Sequence, residues 1–153
     1  MNQAKQGIQK ILLNHYLILH LPGAGAFAVL YTLHKTLPGM YFMVREAPSW
    51  TIIAILVLQG IFAVALPLWY RIHFVNRIKT SKRTSMQAFL QFEKRFLTLA
   101  APSLYLLIPG YMMSPSQGPF AAMVLFALYS LYFYFPSHKR TLAEKKLFRV
   151  EEK

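Results

Sequence analysis

The chain has 153 residues, 56% of them hydrophobic, and its seventeen Lys and Arg face only five acids, all Glu, with no Cys. The lack of Cys excludes disulfide exchange, thiolate catalysis and Cys-ligated metals, and so apolar a chain of this length leaves no room for a separate soluble domain. In a soluble protein such a basic excess would fit nucleic acid, but here the cations flank long apolar blocks, so no nucleic-acid partner is expected.

No charged residue occurs between Lys10 and Lys35, between Glu46 and Arg71, or between Arg95 and Lys139. A spanning helix needs about 20 mainly apolar residues. The first two blocks therefore hold one helix each, and the third, interrupted from Ser114 to Pro119, holds two. The sequence predicts an all-α integral membrane protein, one membrane domain over 1–153, with four transmembrane helices in an up-down bundle. The spans are expected at 11–33, 49–70, 96–113 and 120–135.

In the first span, Pro22-Gly23 predicts a kink, and Gly23, Ala24, Gly25 and Ala28 predict close approach of another helix. Trp50 and Trp69 bracket the second span. On a straight helix they would stand about 28 Å apart, close to the hydrocarbon thickness, as interfacial anchors do.

Beyond Trp69 lies a basic segment, 71–95, in which cations and apolar residues interleave as on a helix at a headgroup surface. Arg71, Arg77, Lys79, Lys82 and Arg83 are expected to contact anionic headgroups or an acidic partner. Met86, Phe89, Leu90, Glu93, Phe96 and Leu97 then recur at helical spacing and predict a ramp into the third span. A basic tail, 137–153, closes the chain. Lys5 and Lys10, the middle segment and the tail all place positive charge on one side, which predicts cytoplasmic N and C termini in the plasma (inner) membrane. The first apolar block is too long for the core of a cleaved signal peptide, and no lipidation motif is expected.

No Lys, Arg or Glu falls inside an expected span, which counts against a proton-coupled transporter and removes paired carboxylates there. No Gly-x-Ser-x-Gly, His-Glu-x-x-His or phosphate-loop pattern occurs. No catalytic residue and no metal site are expected. In size, helix number and basic character the chain resembles the membrane-associated eicosanoid and glutathione enzymes. It lacks that family's polar second-helix motif, where Gln59 is the one strongly polar mid-helix residue, so the family is not assigned.

His15, His20 and His34 remain as ligand-binding candidates. The spacing of His20 and His34 resembles the way a helix of dihaem cytochromes b presents two axial ligands. His15 beside Asn14 could bind a quinone carbonyl or a lipid headgroup. No cofactor is expected, with haem b or quinone as the alternative. The leading functional expectation is a small non-catalytic accessory or structural subunit that packs against a larger membrane-protein partner or a second copy of itself. The alternative is a membrane anchor binding haem b or quinone through the helix-one histidines. A third reading is a lipid-modifying or lipid-transporting protein.

Overall fold

The computed structural model describes residues 2–37, 47–79, 84–113 and 116–150, with backbone alone for 2–6. All its named elements are helical, and no strand occurs among the described residues. The helices are α1 (Asn2–Thr36), α2 (Ser49–Gly60), α3 (Leu66–Ile78), α4 (Met86–Ala100), α5 (Pro102–Tyr105), α6 (Leu107–Met112), α7 (Gln117–Phe133) and α8 (His138–Leu147). A π-helical turn, Ile61–Ala65, joins α2 to α3 without interrupting the rod.

Two stretches, Gly7–Thr36 and Ser49–Ile78, are each 30 residues long and apolar enough to cross a membrane. The α7–α8 pair makes a third only if its 73° bend is taken within one span. The segment expected as the third span is instead divided. Its helix starts at Met86 rather than Phe96 and breaks at Ala101 and Leu106. Pro102 and Pro109 explain the division, since neither has an N–H to continue an i to i−4 ladder. α1, by contrast, stays helical through Pro22.

The helix expected over Met86 to Leu97 is present as α4, while the first part of segment 71–95 continues the preceding rod. α3 continues as far as Ile78, and α4 begins afresh after Ser85, whose hydroxyl accepts from the Ala88 N–H as an N-cap. The two helices face each other through aromatic rings, with Phe74 stacked on Phe92 at 4.1 Å and Tyr70 on Phe92 at 5.5 Å. Lys82 and Arg83 lie outside the described residues. The 137–153 tail is likewise built into the fold over its described part. Ser137 caps α8 by accepting from the Arg140 N–H, and Phe148 is buried against the same rings. Arg149 then adopts φ 50°, Val150 donates to Lys145 and Arg149 donates to Lys146, a Schellman closure held by an arginine. A lone bridge from Val150 to Thr84 ties this end to the α3–α4 connection.

Two apolar cores follow. One gathers Tyr16, Phe89, Phe92, Phe96, Leu97, Tyr134 and Phe148. The other gathers Ile55, Leu104, Leu107, Met123 and Ala127. α4 explains the first: Phe89, Phe92, Glu93, Phe96, Leu97 and Ala100 are its buried residues, spaced as one helical stripe. Side-chain bonds give the relative directions. His15 meets Thr98, Tyr105 meets Leu19 and His34 meets Tyr111, so α1 and α4–α6 run in the same sense. Gln59 meets Met123 and Tyr134 meets Ala63, so the α2–α3 rod and α7 also run together. Tyr16 meets Leu131 and Gln9 meets His138, so α1 opposes α7 and its extension.

Candidate functional site

The interior polar groups first serve the helix breaks. At Pro102 the Leu104 N–H turns to Ala101, and the Ala100 carbonyl accepts from the hydroxyls of Ser103 at 2.8 Å and Ser130 at 3.1 Å. Gln59 is fully buried, and its amide nitrogen donates to the carbonyls of Ser103 and Met123 at 2.9 and 2.8 Å. Its Oε1 has no partner. The end of α7 is closed in the same way. The Tyr16 hydroxyl donates to Leu131 at 2.7 Å and the Arg140 guanidinium donates to Phe133 at 2.9 Å, meeting carbonyls that a helix end leaves open.

The three candidate histidines are not brought to one site. His15 is part-exposed. Because the Thr98 hydroxyl spends its proton on the Lys94 carbonyl, His15 Nε2 is the donor in its 3.2 Å bond to Thr98. His20 is buried, stacks on Tyr16 at 4.3 Å and donates from Nδ1 to the Tyr16 carbonyl, which leaves Nε2 bare. His34 bonds the Tyr111 hydroxyl at 2.6 Å near the other end of α1.

The helix-packing candidates divide by face. Gly23 is buried, and a Cβ there would lie 3.3 Å from Leu104 and from Tyr105. Ala24 packs on the second core. Gly25 and Ala28 are exposed, and a Cβ on Gly25 would meet nothing within 4 Å. Trp50 is 70% exposed at the start of the Ser49–Ile78 rod, whereas Trp69, 63% exposed and stacked on His73, lies inside it, with α3 continuing to Ile78. Arg77 and Lys79 are exposed at the end of α3.

A cluster that the sequence reading did not assemble lies where α3, α4 and α8 meet. Glu93 and Glu144 are the only acids among the described residues, and both are buried. Arg140 Nη2 lies 3.4 Å from Glu93 Oε2, and its Nε lies 3.2 Å from Glu144 Oε1. Arg71 Nη2 stands 4.0 Å from Glu144 Oε1. The Arg140 guanidinium also lies 5.5 Å over the Phe96 ring. Burial pushes the Glu93 carboxyl well above the ordinary Glu range. The neighbouring Glu144 carboxylate pushes the same way, against Arg140 and Arg71. This carboxylate pair lies outside the expected spans. The signal was present in the sequence, where Glu93 interrupts an apolar stripe between Phe89 and Phe96. On its outer side Arg140 lines an open groove of about 660 Å³ with Leu128, Leu131, Tyr132, Phe135 and Ser137.

No family model, curated protein or solved structure matches the chain.

Proposed function

We propose that this chain is a small non-catalytic subunit that packs in the membrane against a larger partner through the outer face of α1. The observation that carries this reading is the exposed stripe of Leu21, Gly25, Ala28 and Thr32, which presents small residues outward. In a bilayer no hydrophobic force drives helices together, so association depends on close backbone approach, which Gly and Ala permit. The lipid-facing pattern elsewhere is different, with Ile53, Val57, Leu125 and Tyr132 exposed.

In this reading the chain crosses the plasma membrane four times in alternating directions, with both termini cytoplasmic. The pairwise directions of the rods and the one-sided placement of Lys and Arg support it. The exposed Arg77 and Lys79 then face anionic headgroups.

Purification of the tagged chain in mild detergent tests the proposal. A stoichiometric membrane partner is expected, and Gly25→Leu or Ala28→Leu should release it. Recovery of a bare monomer whose behaviour neither substitution changes would sink the reading. A haem absorption band in the purified protein would replace it with the redox-anchor alternative. Reporter fusions at Met40 and Ser116 should read outside and one at Lys82 inside.

A further inference from the structure

We propose that Glu93 and Glu144 hold one proton between them, making the buried cluster a proton-binding site that fastens α8 to α4. Glu93 Oε1 and Glu144 Oε2 are each buried and have no hydrogen-bond partner. The arginines do not supply one. Arg140 donates from Nη1 to the Phe133 carbonyl, from Nη2 to Glu93 Oε2 and from Nε to Glu144 Oε1, and none of these bonds goes to the two orphan oxygens. Arg71 approaches the oxygen of Glu144 that Arg140 already serves.

Two ionised carboxylates left in this state would each carry a lone pair out of water with nothing to accept, and would repel each other at short range. One guanidinium brings the two buried side chains together, since Arg140 reaches Glu93 through Nη2 at 3.4 Å and Glu144 through Nε at 3.2 Å. One proton on Glu93 Oε1, donated to Glu144 Oε2, satisfies both orphan atoms and removes the like-charge pair. Glu144 then remains the anion, which is the carboxylate that both arginines approach.

The surroundings are charged on several sides. α8 contributes Arg140 and the buried Lys145, α3 contributes Arg71, and Tyr134 follows α7. α1 packs on α4 with His15 and Tyr16, both engaged with neutral partners. Lys94 and Arg95 sit on α4 itself and are exposed. The sign of the linkage follows. A carboxyl raised in the folded state keeps its proton at a pH where the unfolded chain has released it. Stability therefore falls as pH rises from the ordinary Glu value of 4.5 towards the raised one, and then levels.

Infrared spectroscopy of the full chain in detergent reads the proton directly. The wild type should show the carbonyl stretch of a protonated carboxyl at about pH 7, where the exposed Glu side chains are ionised. Glu93→Gln should lose that band while keeping the fold, because its amide donates to Glu144 in place of the carboxyl. In Glu144→Gln the band should disappear at a lower pH than in the wild type, because the anionic neighbour is gone while the burial of Glu93 remains. The midpoint of thermal unfolding should fall in the wild type as pH rises above the ordinary Glu value of 4.5, and stay flat across the same interval in Glu93→Gln. No protonated-carboxyl band in the wild type overturns the proposal, as does a band that survives both substitutions.

Discussion

The hydroxyl of Tyr134 donates to the main-chain carbonyl of Ala63 over 2.6 Å, fixing the end of α7 to the π turn between α2 and α3. Tyr134 is buried on the border of the first core, edge-on to Phe96 at 5.0 Å. A π turn departs from the i to i−4 ladder, and here its carbonyl is met from another helix.

Tyr134→Phe keeps the ring and removes the donor. It should lower stability by about 1 kcal/mol, within the range for an interhelical bond in a membrane protein. Thermal unfolding in detergent reads this. An unchanged midpoint would mean that the Ala63 carbonyl is satisfied from elsewhere.

Gly23 and Gly25 are two residues apart and should behave oppositely. Gly23→Leu drives a side chain into Leu104 and Tyr105 and should cost about 2 kcal/mol of stability or more. Gly25→Leu enters open space and should change monomer stability by no more than about 0.5 kcal/mol. Its effect belongs to association, read as loss of co-purifying partner. Equal damage to the fold from both would contradict the assignment of faces.

Gln59 ties α2 to α5 and α7 through two donated bonds, while its own Oε1 goes unmet. Gln59→Met removes both bonds and the orphan acceptor with little change of volume, and should cost about 1 kcal/mol. Gln59→Ala adds a cavity and should cost about 2 kcal/mol or more. Denaturation curves in mixed micelles would rank the two variants, and a reversed order would mean that the site closes around alanine more readily than it fits methionine.

Arg149 at φ 50° holds the left-handed position of the closure after α8. A non-glycine residue there costs about 1 kcal/mol. Arg149→Gly should therefore raise stability by about 0.5 kcal/mol, since the greater freedom of glycine in the unfolded chain offsets part of the gain. Arg149→Val should lower it by about 1 kcal/mol. Protease resistance of the C-terminal segment should move in the same order.

The three uncharged blocks, the apolar periodicity of Met86 to Leu97 and the tryptophans in the second block make the helical character legible, and with it two helices long and apolar enough to cross a membrane, because a bilayer demands long apolar helices with internally paired backbones. Pro102 and Pro109 stand where the expected third span divides, yet Pro22 leaves α1 unbroken, so the prolines alone did not foretell the breaks. Only the tertiary structure decided which side of α1 faces inward. Gly23 and Gly25 are alike as letters, and helix rotation against α5 separates them. It also decided that the basic tail folds back as α8 and brings Glu144 to Glu93. A carboxylate's environment is set by whatever packs over it, and here that cover arrives from a distant segment whose own sequence reads as solvated.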